Sequence, residues 1–232
     1  MSLPRILVIK TGTAEPEIRA KHGDYERWFM DHLEGGTDRC DVAEAWSGET
    51  LPRPDRFGGL LITGSPASVR DEASWMDSLG RWALAAADAG VPVLGVCFGH
   101  QLLGEALGGR VEPNPAGHEV GTVEVELTEA GRADPLFAGL GPAIHVQATH
   151  GDALVSPPRG PGVVKLAGNA NTPWQAFACG DAVRAVQFHP ELPAQALRDL
   201  MTARGQRGTV DDLTDSAAIL RNWDRAWVRG QR

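Results

Sequence analysis

Three residues of this chain have types and an order that could perform covalent chemistry: Cys97, His189 and Glu191. A thiol becomes a strong nucleophile when a nearby imidazole accepts its proton. The imidazole in turn needs a partner that fixes its tautomer and stabilises its charged form. A cysteine, a histidine and a carboxylate supply these three parts. They predict attack of a sulfur on a carbonyl carbon, with a covalent intermediate.

Cys97 follows a short apolar run and precedes a segment with helical spacing. Residues 91–96 are typical of a buried strand, and residues 99–107 of a helix. Gly95 and Gly99 would keep side chains clear of the sharp turn that a nucleophile needs between strand and helix. Backbone N–H groups at the helix start could stabilise negative charge on the sulfur and hold a reaction oxyanion. A buried structural cysteine at a tight turn is the alternative interpretation.

His189 and Glu191 stand on either side of Pro190 near the end of a later apolar segment. Pro190 keeps His189 out of helical geometry, and in an extended chain residues two apart point to the same side. Both side chains can therefore face one cleft. On its own, His-Pro-Glu is also a common surface turn, so its catalytic interpretation depends on the cysteine.

Short strand-like and helix-like segments alternate before Gly109, which is the signature of a doubly wound parallel sheet. After Gly109, segments such as 120–127 alternate apolar and polar residues, as in half-exposed strands that include antiparallel ones. The sequence predicts an α/β fold with a mostly parallel central sheet flanked by helices and a small antiparallel strand set. The predicted strands are 6–9, 40–46, 59–63, 91–96, 120–127, 144–149, 163–167, 174–178 and 182–188, and the predicted helices are 24–33, 75–89, 99–107, 194–203 and 215–228.

Composition restricts the class of protein. Hydrophobic residues make up 42% of the chain and charged residues 22%, as in soluble globular proteins. A net charge of −8 disfavours binding to nucleic acid or to an anionic membrane. Three cysteines without a Cys-x-x-Cys pair argue against disulfides and structural zinc, and no apolar run is long enough to cross a bilayer. Together with an N-terminus that lacks the layout of a signal peptide, these features predict a cytoplasmic protein without metal or cofactor.

Four ordered motifs resemble those of the class I (triad-type) glutamine amidotransferase family. They are Gly-Val-Cys-Phe-Gly-His-Gln at 95–101, Phe-His-Pro-Glu at 188–191, Ile-Thr-Gly-Ser-Pro at 62–66 and Thr-His-Gly-Asp at 149–152. Within that family the chain looks closest to standalone GMP-synthase-like amidotransferases. The resemblance implies the family's flavodoxin-like fold, with a core over residues 5–192 and a C-terminal helical extension over residues 193–232. A single domain over residues 1–232 is the expectation.

The resemblance also implies a role for each matching residue. Cys97 would attack the side-chain amide of glutamine, His189 would transfer protons, and Glu191 would orient His189. The backbone N–H groups of Gly64 and Phe98 would form the oxyanion hole. Residues implied to bind the substrate are Gln101, Thr149, His150 and Gly151. For His150, a structural hydrogen-bonding role is the alternative.

Three functions are compatible with these residues. The first is hydrolysis of glutamine to glutamate and ammonia, with ammonia supplied to a separate synthetase subunit, since the sequence contains no Gly-x-x-x-x-Gly-Lys phosphate loop. The second is a γ-glutamyl peptidase or hydrolase that acts on γ-glutamyl peptides or amines. The third is a non-catalytic binding module on the same fold. The complete set of three reactive residues favours an enzyme, and the family resemblance favours the first function.

Overall fold

The computed structural model describes residues 3–71, 73–212 and 215–230. The remaining residues of the predicted domain (1–2, 72, 213–214 and 231–232) lie outside the described residues. Strands follow in chain order as β1 (Ile6–Lys10), β2 (Cys40–Glu44), β3 (Gly59–Ile62), β4 (Val93–Val96), β5 (Arg110–Pro113), β6 (Glu119–Leu127), β7 (Ala143–His150), β8 (Asp152–Ser156), β9 (Val163–Gly168), β10 (Ala176–Cys179) and β11 (Val183–Val186). Helices are α1 (Pro16–His22), α2 (Tyr25–Met30), α3 (Gly36–Arg39), α4 (Ser74–Asp88), α5 (Phe98–Ala106), α6 (Glu129–Ala133), α7 (Ala194–Ala203) and α8 (Ser216–Trp223), which a π-helical turn continues over Asp224–Val228.

A nine-stranded sheet in the order β2-β1-β3-β4-β11-β10-β9-β6-β7 forms the centre of the molecule. The first five strands of that order are parallel, and the pairings from β11 onwards are antiparallel. A separate antiparallel pair joins β5 to β8. The predicted α/β fold, with a central sheet between helices and a small antiparallel set, is confirmed.

Alternating strand residues place one apolar cluster on each face of the sheet. Ile6 and Val8 pack with residues of α2 and α8, whereas Leu7 and Ile9 pack with residues of α4 and α5. This alternation is the two-residue period of a strand, and here both faces are buried. The sheet is therefore covered on both sides, as a doubly wound fold requires.

The C-terminal extension packs on the body of the protein. Its helix α8 joins the cluster that contains β1, and the guanidinium of Arg39 donates two hydrogen bonds, of 2.8 and 2.7 Å, to the buried carboxylate of Asp224. The indole N–H of Trp227 donates to the backbone oxygen of Asp181 at 2.7 Å. These contacts support the proposal that the chain forms a single domain.

Element bounds differ from the sequence predictions where periodicity is weak. Helix α1 was not predicted because Ile18 is its only buried residue, so its sequence has no apolar stripe. Gly23, at φ 81°, ends α1 and separates it from α2. Strands β5 and β8 were also missed, because they have only one and two buried residues and so form no apolar run. Within the described residues, no helix combines the length and apolarity needed to cross a membrane.

Candidate active site

Cys97 occupies a strained turn between β4 and α5. Its φ of 51° and ψ of −100° make it the one non-glycine with positive φ among the described residues. A Cβ on Gly95 would lie 2.6 Å from the Gly99 oxygen, and one on Gly99 would lie 2.6 Å from the Ile62 oxygen. Both glycines are therefore required for this backbone path. A strained, tightly packed residue at a strand end is a feature that functional sites retain.

The sheet register brings His189 to Cys97. Strands β4 and β11 are parallel neighbours, with Val96 opposite Val186, so the residues that follow them emerge at the same edge. Gly64, after β3, lies between the two side chains. A Cβ on Gly64 would stand 3.0 Å from Cε1 of His189 and 3.7 Å from Cβ of Cys97. Residues distant in sequence thus meet at the carboxyl ends of three adjacent strands.

Glu191 holds the ring of His189. Its Oε1 lies 2.7 Å from Nδ1 of His189, and both residues are buried. The backbone N–H of His189 donates to the oxygen of Gln147 at 2.8 Å, which fixes the chain at this point. Because Glu191 occupies Nδ1, Nε2 is the ring nitrogen left for Cys97.

The environment of His189 favours its charged form. Burial by itself would lower the pKa of His189, but the carboxylate of Glu191 and then the sulfur of Cys97 outweigh that effect. Together they hold the pKa of His189 well above its ordinary value. A charged imidazole beside the sulfur can serve as a proton donor to a leaving nitrogen.

The predicted oxyanion hole consists of the backbone N–H groups of Gly64 and Phe98. Phe98 is the first residue of α5, so its N–H has no partner within the helix. The Gly64 N–H shares a peptide with the carbonyl of Thr63, whose oxygen accepts hydrogen bonds from the Thr11 hydroxyl at 3.0 Å and from the Gly99 N–H at 3.3 Å, which fixes the orientation of that peptide. The N–H groups of Gly64 and Phe98 have no acceptor among the described residues. Such preorganised donors are what an acyl-transfer intermediate needs.

The residues implied to bind substrate fall into two groups. Thr149 and Gly151 line the cleft next to Cys97. Gln101 and His150 also line it, but the amide nitrogen of Gln101 and both ring nitrogens of His150 are engaged within the protein. Nε2 of Gln101 donates to the Asp152 oxygen at 2.9 Å and to Oε1 of Gln187 at 3.1 Å.

His150 has both of its nitrogens in contact with protein acceptors. Its Nε2 lies 2.9 Å from Oε2 of Glu119, and its Nδ1 lies 3.0 Å from the Asp152 oxygen. These contacts favour the structural alternative for His150. Together with Gln101, it positions the loop that carries Thr149 and Gly151.

Two pockets meet at Cys97. The walls of the polar pocket include Ser68, Gln101, His118 and Asp152. The walls of the apolar pocket include Ala14, Ile18, Tyr25, Trp28, Leu192 and Leu200, while Ser65 and Thr149 line both pockets. His189 and Glu191 line the apolar pocket only, whereas Phe98 and Gln101 line the polar pocket only.

Sequence reasoning missed the residues that surround the apolar pocket. Arg204, at the end of α7, lines both pockets and donates from Nη2 to Oε1 of Glu15 at 2.7 Å. Trp28 belongs to the cluster that joins α1, α2 and α7. No motif marks these positions, and only the packing of the helices over the strand ends brings them to the site. Among the described residues, no cluster of His, Cys, Asp and Glu could hold a metal ion.

The family follows from a comparison with known proteins. Residues 40–204 match the family model described as glutamine amidotransferase class I. The chain belongs to the class I glutamine amidotransferase family. The resemblance read from the four motifs is thereby confirmed, and Cys97, His189 and Gly64 lie inside the matched segment.

The relatives of this chain include proteins of two lengths. The chain is 42% identical over 135 residues to a GMP synthase (glutamine-hydrolyzing) of Thermomicrobium roseum, an alignment that covers 58% of the chain and 23% of the relative. It is 32% identical over 220 residues to a glutamine amidotransferase-like protein, YfeJ, of Salmonella typhimurium, an alignment that covers 87% of the chain and 85% of the relative. The chain thus spans less than a quarter of that GMP synthase.

A crystal structure of a glutamine amidotransferase from Methylobacillus flagellatus has the same fold. The two superpose with a TM-score of 0.76 at 22% identity, over 99% of this chain and 94% of that chain. The superposition supports the fold class over nearly the whole chain.

Proposed function

We propose that this chain hydrolyses the side-chain amide of glutamine to glutamate and ammonia through a thioester on Cys97. The observation that carries the proposal is the meeting of Cys97 and the His189–Glu191 pair on either side of Gly64. Membership of the class I amidotransferase family supports glutamine as the substrate.

Acylation in this proposal begins with attack of the Cys97 sulfur on the amide carbon. The oxygen of the tetrahedral intermediate takes negative charge and accepts hydrogen bonds from the N–H groups of Gly64 and Phe98. Nε2 of His189 then gives its proton to the amide nitrogen, the carbon–nitrogen bond breaks, and ammonia leaves. Glu191 stabilises the charged ring before that transfer and keeps Nε2 directed at the site.

Deacylation returns the enzyme to its starting state. Neutral His189 accepts a proton from water, whose oxygen attacks the thioester carbon. The carbon–sulfur bond then breaks and glutamate leaves. The thiolate of Cys97 is left beside the charged ring of His189, which holds the proton taken from water. No step needs an oxidant, a metal or a second substrate.

A separate synthetase is proposed as the acceptor of the ammonia. The chain aligns with only 23% of the GMP synthase of Thermomicrobium roseum, so the greater part of that relative lies outside the matched segment. A synthetase subunit that binds this chain should raise its glutaminase rate. The cytoplasm, where such reactions use soluble glutamine, is the proposed compartment.

The three cysteines provide a test with internal controls. Burial raises the pKa of Cys40 to about 11, and burial also raises the pKa of Cys179, so both thiols should react slowly. A glutamine-like diazoketone, followed by peptide mass spectrometry, should label Cys97 alone and abolish glutamine turnover in proportion to labelling. Equal labelling of the three thiols, or labelling of Cys97 without any glutamine hydrolysis by the unlabelled protein, would contradict the proposal and favour a binding module.

A further inference from the structure

The apolar pocket is built by helices that the glutamine reaction does not require. Ile18 of α1, Trp28 of α2 and Leu200 of α7 belong to one buried cluster, and each lines the pocket. Ala14 and Leu192, in the loops before α1 and α7, complete the wall. The pocket is therefore continuous with a packed apolar core and opens at Cys97.

Polar contacts on the outside hold this wall together. Nε2 of His22 lies 3.0 Å from the carboxylate of Asp199, which ties α1 to α7. The indole N–H of Trp28 donates to the His22 oxygen at 2.7 Å, and its ring packs against Tyr25 with centroids 5.4 Å apart. The indole nitrogen is thus satisfied within the protein, and the small part of the buried Trp28 ring that lines the pocket is apolar.

The chemistry assigns the apolar pocket to one half of the substrate. A leaving nitrogen must come within reach of the group that protonates it, which is His189. His189 lines the apolar pocket and not the polar pocket. Any substituent on the leaving nitrogen therefore extends into the apolar pocket, while the glutamyl half occupies the polar pocket beside Gln101 and Thr149. Ammonia has no substituent and leaves the apolar pocket unused.

Charge at the rim favours an uncharged substituent. Besides the His189–Glu191 pair, the charged residues that line the apolar pocket are Glu15 and Arg204, and they are paired with each other at 2.7 Å. An amine with a carboxylate or a second ammonium group would have to break that pair or remain without a partner. An apolar amine meets neither cost.

We propose that the preferred substrate of this site is a γ-glutamyl amide of an apolar amine, an inference that rests on the proposed Cys97 chemistry and replaces ammonia by an amine as the main product, so that a synthetase acceptor is no longer required. The sulfur of Cys97 forms a bond to the γ-carbonyl carbon, and the bond from that carbon to nitrogen breaks. The amine takes its proton from His189 and leaves through the apolar pocket. Water then cleaves the thioester and releases glutamate, as in glutamine hydrolysis.

Three substrates test the inference on the purified full chain. They are glutamine, γ-glutamyl-isopentylamide and γ-glutamyl-leucine, the last of which equals the second with one added carboxylate. Burial of the isopentyl group should raise kcat/KM at least about tenfold over glutamine. The added carboxylate of γ-glutamyl-leucine should remove most of that gain.

Two leucines on α7 provide a matched pair of variants. Leu200 lines the apolar pocket, and Leu197 belongs to the same buried cluster without lining it. Leu200→Ala should lower the ratio of kcat/KM for the isopentylamide to that for glutamine about fivefold. Leu197→Ala should leave this ratio unchanged. Ala14→Leu, which fills the pocket instead of enlarging it, should lower the ratio as well and provides a second variant if Leu200→Ala does not fold.

The possible results distinguish this inference from the proposed hydrolysis of glutamine on which it rests. Hydrolysis of glutamine with an equal or slower rate on the isopentylamide overturns the apolar-amine assignment and leaves the glutaminase proposal standing. Preference for γ-glutamyl-leucine overturns the assignment in favour of a peptidase. A ratio that changes equally in the Leu197 and Leu200 variants also overturns it. Failure to hydrolyse any of the three substrates overturns both proposals.

Discussion

The molecule contains two buried pairs of imidazole and carboxylate that look alike and differ in what surrounds them. His189 lies 2.7 Å from Glu191, and His150 lies 2.9 Å from Glu119. In the first pair, the second ring nitrogen of the histidine is left for Cys97. In the second pair, the other ring nitrogen of His150 contacts the oxygen of Asp152 at 3.0 Å.

The two carboxylates differ in the same way. Glu119 also accepts hydrogen bonds from the amides of Asn169 and Gln175, each at 2.6 Å, and these bonds with that to His150 outweigh burial and lower its pKa. Oε2 of Glu191 has no hydrogen-bond partner among the described residues. A pair whose hydrogen-bonding atoms are all engaged stabilises the fold. A pair with an unengaged hydrogen-bonding atom can change its protonation during a reaction. The comparison therefore supports the proposal that His189–Glu191 takes part in the chemistry and that His150–Glu119 stabilises the loop of Thr149 and Gly151.

The largest expected effect comes from Glu191→Gln. The amide cannot stabilise charged His189, and it can hold the ring in the wrong tautomer, so kcat for glutamine should fall about 10³–10⁴-fold. The variant should still fold, because Gln has nearly the size of Glu, although loss of the ion pair with charged His189 lowers the thermal midpoint. Steady-state kinetics and a melting curve on the same sample measure kcat and the thermal midpoint. A loss of kcat below tenfold would contradict a catalytic role for the His189–Glu191 pair.

The matched change in the other pair, Glu119→Gln, should act on stability. It removes the buried negative charge that His150, Asn169 and Gln175 contact, and it should lower the free energy of unfolding by about 3 kcal/mol. Because the loop that carries Thr149 depends on this network, KM should rise while kcat stays within a few-fold of wild type. Denaturant titration and kinetics well below the melting temperature measure the two effects. A thousandfold loss of kcat in the folded variant would give His150 a catalytic role and remove the distinction.

These two pairs also show how far a sequence can be interpreted. Motifs led to Cys97, His189 and Glu191 because a family resemblance and elementary chemistry agree on those residue types. The partner of His150 could not be predicted, since Glu119 becomes its neighbour only through the antiparallel register of β6 and β7. Likewise Arg204 and Trp28 reach the pockets through helix packing, which has no local signature in the sequence. Most strands were predicted to within a few residues, because buried apolar runs between turn residues are strong local signals.

The pH dependence of stability should distinguish the pairs further. The pKa of His189 is raised above its ordinary value of 6.5, so the folded protein binds this proton more tightly than the unfolded chain does. Its contribution to stability is complete below pH 6.5 and is lost as pH rises through the folded pKa. The free-energy difference between wild type and His189→Gln should therefore shrink with rising pH, with a slope of up to about 1.4 kcal/mol per pH unit.

Glu119→Gln is the control for that titration. The pKa of Glu119 is lowered from its ordinary value of 4.5, so its stabilisation is present above pH 4.5 and is lost only as pH falls through the lower folded pKa. Between pH 6 and 8 the difference between wild type and this variant should be flat. If the stability difference from wild type varied with pH for Glu119→Gln and stayed constant for His189→Gln, the roles of the two pairs would be reversed.

The smallest expected effect is that of Asn169→Ala, which removes one donor from Glu119 and leaves His150 and Gln175 in place. Loss of the hydrogen bond to the carboxylate, together with the bond that Asn169 Oδ1 accepts from the Thr172 N–H at 2.7 Å, should cost about 2 kcal/mol of stability. If the network only supports the loop, kcat should stay within about twofold and the thermal midpoint alone should fall. A double-mutant cycle with Glu119→Gln should give strong coupling, because both changes act on one carboxylate, and a cycle with Glu191→Gln should give none. Coupling to Glu191 instead would mean that the two pairs form one network, and His150 would then belong with the groups that tune the reaction.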